Sequence, residues 1–133
     1  MTLSFDEDNL SNAVNHLDKS IYSFNIPPAL QRQVTVSDEE VIITIDSFIS
    51  KEPCSTKITQ EKKLTGFDLL SAVFIDKNYN GKQFITTDAF FLDEIKRDNN
   101  TLVIKLDRKN MGNKLMLVYT DIFGNELAEC VTI

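Results

Sequence analysis

The segment Asp76–Gly81 has residue types whose spacing could bind a metal ion. Its sequence, Asp-Lys-Asn-Tyr-Asn-Gly, matches the first half of a calcium loop, in which alternate oxygens face one cation and the glycine permits the bend. The second half differs, because Thr87 occupies the twelfth position, where a bidentate Glu is needed, and the flanks have a strand pattern. Since Asn-Gly is a strong turn signal, the sequence favours a hairpin turn at Asn80-Gly81 over a metal site.

The other reactive side chains are not arranged as a catalytic site. His16 is the sole histidine and has no nucleophile signature nearby. Acidic residues cluster at Asp6–Asp8, Asp38–Glu40 and Asp93–Glu94, but adjacent side chains point apart and the clusters fall at predicted turns and caps. The sequence therefore predicts no catalytic residue, no metal ligand and no cofactor.

Cys54 and Cys130 are the two cysteines of the chain. A disulfide between them could join two sheets of a sandwich. We favour two reduced thiols that act as packing residues, because the sequence has no export signal and the domain is large enough to fold without a disulfide.

Charge and hydropathy disfavour two classes of partner. The 133-residue chain has 14 Lys and Arg against 20 Asp and Glu, a net charge of −6, and its cations are scattered. Nucleic-acid binding needs clustered positive charge, and a membrane span needs ~20 apolar residues in a row. The acidic start, Met1–Asp8, is unlike a secretion signal. We therefore expect one cytoplasmic domain that contacts neither nucleic acid nor a membrane directly.

Residues 1–29 are predicted to form a helix followed by a proline linker. Ser4 and Glu7 have the spacing of a capping box, and the apolar residues Leu10, Val14, Leu17 and Ile21 recur at helical period. This stripe should pack on the rest of the domain or on a missing neighbour. The run Asn25–Pro28 resembles the base-binding motif of amino-methyltransferases only loosely, and a linker turn explains its prolines better.

Residues 30–133 have the pattern of a β domain. Gln33–Ser37 and Val41–Asp46 read as a hairpin, with Val41, Ile43 and Ile45 on one face at period two. Thr56–Leu64 is polar enough for an exposed or edge strand.

The later strands complete the pattern. Asp68–Ile75 and Leu115–Tyr119 are apolar on both faces, which predicts central positions in a packed sheet. Further strands are predicted at Gln83–Thr87, Ala89–Leu92 and Thr101–Leu106, separated by Asn- and Gly-rich turns. Seven to eight short strands at this spacing predict an immunoglobulin-like antiparallel β-sandwich, without the buried tryptophan of antibody domains.

Five residues are candidates for an interaction site. Phe90 and Phe91 are consecutive, so one strand cannot place both in a single core. Phe123 lies at the tip of the turn Asp121–Asn125, and we include Asp121 and Asn125 with it. The alternative for Phe123 is that it caps the end of the sandwich.

Two stretches carry a resemblance to a known family. Val118–Glu126, which ends in Asp-Ile-Phe-Gly-Asn-Glu, and the preceding Phe74–Phe84 resemble the carboxy-terminal region of bacterial site-specific DNA methyltransferases of the restriction-modification type. The resemblance covers roughly residues 67–133. It implies a noncatalytic accessory domain that helps an adenine-specific methyltransferase to assemble with a protein partner or with its parent catalytic domain, and it carries over no catalytic residue.

Two other classes of function remain open. One is an immunoglobulin-like adhesion or carbohydrate-binding module of a bacterial surface protein, for which Tyr79, Phe90 and Phe91 could supply aromatic platforms. The other is a small hydrolase that uses clustered carboxylates, which would need an enclosed pocket and a carboxyl group of raised pKa.

Overall fold

A computed structural model describes residues 25–62, 64 and 66–133. This part of the chain is mainly β, with eight strands in two antiparallel sheets and one short helix. The predicted helix over Leu10–Ile21 and most of the predicted unit 1–29 lie outside the described residues. The strands are β1 (Ala29–Val36), β2 (Glu40–Ile49), β3 (Leu70–Asp76), β4 (Asp88–Phe91), β5 (Lys96–Asp98), β6 (Thr101–Asp107), β7 (Lys114–Asp121) and β8 (Glu126–Thr132).

The two sheets pack face to face as a sandwich around one core. The first sheet has the strand order β1-β2-β6-β5, and the second has the order β4-β3-β7-β8. The core contains the inward residues of the inner strands of both sheets, because alternate residues of a strand point to the same side. These buried residues are Val41, Ile43, Ile45, Val73, Ile75, Leu102, Ile104, Leu106, Leu115, Leu117 and Tyr119.

The predicted hairpin and the predicted central strands are confirmed. β1 and β2 pair antiparallel, and Val41, Ile43 and Ile45 are fully buried on one face. β3 and β7 are the inner strands of the second sheet, although the predicted Asp68–Ile75 strand begins with a 3-10 turn at Gly66–Leu69. Burial is complete only on the inward face of β7, since Met116 and Val118 on its other face are half-buried.

The predicted edge strand over Thr56–Leu64 is wrong, because a helix, α1, spans Ser55–Lys62. The Lys57 ammonium lies 3.9 Å from the Glu61 carboxylate one turn later, and the Thr59 hydroxyl donates to the Ser55 carbonyl at 2.7 Å. Lys, Gln and Glu favour helix, and an exposed polar segment looks the same in composition whether it is a strand or a helix. The polar composition of this segment therefore predicted correctly that it is exposed, but it could not distinguish a helix from a strand.

The predicted strand over Gln83–Thr87 is also wrong, since these residues form part of the loop between β3 and β4. In this loop, backbone amides donate to side-chain oxygens instead of to the carbonyls of a neighbouring strand. The Asp76 carboxylate accepts from the Ile85 amide at 2.9 Å, and the Thr87 hydroxyl accepts from the Lys77 amide at 3.0 Å. Asn80 and Gly81 lie inside this long loop instead of at a two-residue hairpin tip, and β5 was not predicted.

Within the described residues, no helix combines the length and the apolar character that crossing a membrane requires.

Substitutions in β6 test which side of the strand forms the core. Ile104 is 2% exposed and points inward, so Ile104→Ala should lower the free energy of unfolding by about 2–5 kcal/mol. Val103 points outward on the same strand, and Val103→Ala should cost about 1 kcal/mol or less. Urea denaturation of both variants measures the difference. Equal losses would contradict the assignment of the inward row.

Candidate interaction surface

The turn between β7 and β8 is built around the buried carboxylate of Asp121. This side chain is 1% exposed, and its Oδ1 accepts from the amides of Phe123 at 2.9 Å and Asn125 at 2.8 Å. Gly124 has a φ of +87°, a conformation that glycine adopts without strain. The sequence Asp-Ile-Phe-Gly-Asn therefore encodes this turn, in which Asp121 ends the strand and holds the backbone that follows.

Asn125 extends the turn into a polar network at one end of the sandwich. Its side-chain nitrogen donates to Glu52 Oε2 at 2.9 Å, and its oxygen accepts from the Ile26 amide at 3.0 Å. The Ser50 hydroxyl donates to Asp121 Oδ2 at 3.3 Å. Asn125 is 5% exposed. The side chains of Asp121 and Asn125 thus face other parts of the domain and are buried within it.

Asn25 attaches the start of the described chain to the free edge of β8. Its side-chain nitrogen donates to the Glu126 carbonyl at 3.0 Å, and its oxygen accepts from the Glu126 amide at 2.7 Å. An asparagine amide can make both bonds because it carries a donor and an acceptor side by side. The sequence predicted only a linker turn here, and its local pattern gave no signal for a contact with residue 126.

The three candidate phenylalanines lie in different environments. Phe90 and Phe123 are partly buried and pack against the core, whereas Phe91 is 51% exposed. The position of Phe123 matches the alternative interpretation that it caps the end of the sandwich. Phe91 makes an edge-to-face contact with Phe74, with ring centroids 6.3 Å apart and planes at 86°. Of the three rings, that of Phe91 is the one presented to solvent.

The cross-strand pairs show which outward-facing residues lie beside Phe91 on the second sheet. Ala89, Phe74, Val118 and Ala128 form one row over its four strands. The row on one side is Phe91, Ala72, Thr120 and Glu126, and the row on the other is Asp76, Met116 and Cys130; Ala72 and Asp76 are each only 2% exposed. We call the apolar, solvent-accessible part of this surface the outer apolar face, which consists of Phe74, Ala89, Phe91, Met116, Val118, Ala128 and Cys130.

The corresponding face of the first sheet is more polar. Its equivalent row across four strands is Gln33, Thr44, Val103 and Lys96. The Gln33 side chain donates to the Asp46 carboxylate at 3.3 Å on this face. Contiguous apolar surface on a folded protein commonly marks a contact with another molecule. The contrast between the sheets therefore selects the outer apolar face as the candidate site.

Cys54 and Cys130 are both exposed and form no disulfide. The preference for free thiols over an intersheet disulfide agrees with the structure, but the prediction that both are packing residues is wrong. Cys130 projects outward from β8, an edge strand whose alternate side chains are solvent-facing, and Cys54 precedes α1. Cys130 is part of the outer apolar face.

An ionic cluster closes the edge of the sandwich between β1 and β8. Arg32 Nη2 lies 2.7 Å from Glu129 Oε1, and the Tyr119 hydroxyl donates to Glu129 Oε2 at 2.6 Å. Burial acts to raise the pKa of Glu129, but hydrogen bonds from Arg32 and Tyr119 outweigh it and lower the pKa below its usual value. Burial, together with the bond to Glu129, raises the pKa of Tyr119. Glu129 is thus held ionised and Tyr119 neutral.

Two other candidate acidic clusters lie within the described residues, whereas Asp6–Asp8 lies outside them. Asp38–Glu40 line an open groove with Lys105–Lys109, and Glu94 accepts from the Phe91 amide at 3.0 Å. In the calcium-like segment, the Asn80 side-chain oxygen accepts from the Lys82 and Gln83 amides at 2.8 and 2.9 Å. Among residues 25–62, 64 and 66–133, no group of three or more His, Cys, Asp or Glu side chains is placed to hold a metal ion.

No protein-family model, curated protein or solved structure matches this chain. We therefore infer its function from the surfaces described above.

Truncation of Asp121 tests whether the buried network stabilises the domain. Asp121→Ala leaves the Phe123 and Asn125 amides without their acceptor, so we expect a loss of about 2–4 kcal/mol in the free energy of unfolding. Asp107 is a matched control, since it also ends a strand and accepts from an amide two residues later but is exposed. Asp107→Ala should cost about 1 kcal/mol or less in the same denaturation assay. Similar losses for both variants would rule out a special role for the network.

The ionic cluster predicts a pH dependence of stability. Because the folded-state pKa of Glu129 is lowered, its contribution is complete above the ordinary Glu pKa of about 4.3 and is lost as the pH falls through the folded value. Glu129→Gln should therefore be less stable than wild type at neutral pH, and the gap should narrow in acid. Thermal melts from pH 3 to 7 measure both profiles. A constant difference in melting temperature between wild type and Glu129→Gln across this pH range would contradict the lowered pKa of Glu129.

Proposed function

We propose that this chain is a noncatalytic interaction domain that binds a protein segment on its outer apolar face. The observation that carries the proposal is the row Ala89, Phe74, Val118 and Ala128, which is apolar in all four strands of an outward surface. Covering such a surface removes apolar area from water, which stabilises a complex by about 25 cal/mol for each Å² buried before the costs of association. We propose a protein segment as the partner, because the face extends over four strands and has an apolar centre.

We further propose an immunoglobulin-like fold, which the strand order supports. The orders β1-β2-β6-β5 and β4-β3-β7-β8 correspond to A-B-E-D and C′-C-F-G in immunoglobulin-type sandwiches. Domains with this architecture often serve as interaction modules, but architecture alone does not specify the partner.

We propose that the partner is a protein of a bacterial DNA-modification system. Support comes from the resemblance of Phe74–Phe84 and Val118–Glu126 to the carboxy-terminal region of restriction-modification methyltransferases. Two of the contributing residues, Phe74 and Val118, are on the outer apolar face. We infer an accessory domain, located in the cytoplasm, that holds an adenine-specific methyltransferase together with a protein partner or with its parent catalytic domain. The net charge of −6 favours contact with protein over contact with DNA.

A carbohydrate-binding or adhesive module is the second candidate. It is favoured by the exposure of Phe84 at 36% and Phe91 at 51%, because exposed aromatic rings can stack on sugars. Tyr79, the other aromatic side chain considered for this role, is half-buried in the loop between β3 and β4.

Photocrosslinking tests whether the outer apolar face binds protein. The photoreactive residue p-benzoylphenylalanine at position 91, in the full-length protein inside the cells that make it, should crosslink to a protein segment that mass spectrometry can identify. The same residue at position 103, on the outward face of the first sheet, is the matched control and should give few crosslinks. Equal crosslinking yields at positions 91 and 103 would contradict the proposal that the outer apolar face binds protein.

The same cells test the link to DNA modification. Protein purified through a tag should carry with it an activity that transfers labelled methyl groups from S-adenosylmethionine to adenine in DNA. Purified protein without this activity, found outside the cytoplasm and bound to sugars on a glycan array, would favour the second candidate instead.

A further inference from the structure

The described chain begins beside the outer apolar face. Asn25 is bonded in both directions to the backbone of Glu126, and Glu126 is in the row that contains Thr120, Ala72 and Phe91. A second bond, from the Ile26 amide to Asn125, fixes the next residue at 3.0 Å. The described part of the chain therefore starts at one corner of this face, and 24 residues precede it in the sequence.

The sequence of those residues contains four apolar side chains at helical spacing, which would form one apolar stripe on a helix. Leu10, Val14, Leu17 and Ile21 recur at steps of four, three and four, and the intervening Asn and Asp residues are polar. A helix with one such stripe gains most of its stability by packing the stripe against another apolar surface.

The dimensions of the tether and the face match. From Ile21 to Asn25 the chain can span at most about 14 Å, so a helix that ends at Ile21 ends within about 14 Å of Asn25. Such a helix is about 18 Å long. Four strands are about 14 Å across, so one helix of this length covers the apolar rows from edge to edge.

We propose that residues 10–21 of this chain form an amphipathic helix that packs on the outer apolar face, with Leu10, Val14, Leu17 and Ile21 over Phe74, Val118 and Ala128. This inference rests on the proposed function, since it names the chain's own segment as the occupant of the outer apolar face when the partner protein is absent. The chain's own segment is favoured over a second copy, because a short tether gives an effective concentration of the order of millimolar. The Thr120 hydroxyl is shielded from solvent and has no hydrogen-bond partner among the described residues, and it borders the surface that the helix would cover.

A spin label on Cys130 tests this packing in the full chain. Cys54→Ser leaves Cys130 as the single thiol, and Cys130 is exposed at the edge of the outer apolar face. With nitrogen-15-labelled protein, the amide signals of residues 10–21 should be strongly broadened by the label. As a control, a label on Thr44→Cys in a background without the native cysteines, on the outward face of the first sheet, should leave these signals sharp.

Variants of the stripe complete the test. Val14→Asp with Leu17→Asp should abolish the broadening and make the Cys130 thiol react several-fold faster with a maleimide, whereas Asn15→Asp, off the stripe, should change neither. Sharp signals for residues 10–21 in the labelled wild type would overturn the inference. Broadening that persists when labelled and nitrogen-15 chains are separate molecules would overturn it in favour of a second copy. If the inference fails while crosslinks from position 91 still capture another protein, the proposed function stands; if neither is observed, both fail.

Discussion

The pairing register of the second sheet is the constraint on which the rest of this structure depends. Once β3 pairs with β7 as Val73 with Tyr119, the pairs from Ala72 to Asp76 are fixed, and each of these side chains is assigned to one of two faces; a bulge before Ala72 shifts the register at Leu70. The inward face joins the core. The outward face places Phe74 beside Val118, and β4 and β8 add Ala89 and Ala128 to the same row. One register thus produces both the stability of the domain and its apolar surface.

Polar interactions at the margins hold the two sheets in that arrangement. Arg32 of β1 and Glu129 of β8 connect the sheets along one edge, and Arg97 pairs with Asp68 at 3.0 Å along the other. The network centred on Asp121 secures one end, where it joins the β7–β8 turn to residues from before β1 and after β2. The network also keeps the buried Asp121 carboxylate hydrogen-bonded.

The sequence predicted the elements whose signal is local. Period-two alternation identified the β1–β2 hairpin, and the apolar runs identified β3 and β7 as inner strands. It missed α1 because a polar segment such as Thr56–Leu64 has no apolar periodicity from which to distinguish helix from strand. It missed the loop at Gln83–Thr87 because the competing hydrogen bonds come from Asp76 and Thr87 side chains. The outer apolar face depends on pairing between strands distant in sequence, so Phe91 could be identified as a candidate, but its neighbours Val118 and Ala128 could not.

The central claim is that apolar side chains from outside residues 25–133 cover the outer apolar face of the native protein. Nuclear Overhauser contacts of the Val118 methyl groups measure this directly in the intact protein or its complex, because these methyls are at the centre of the face. The account predicts contacts from Val118 to aliphatic side chains beyond those of Phe74 and Ala128 and outside residues 25–133. Contacts restricted to neighbours within the sheet and to water would contradict it.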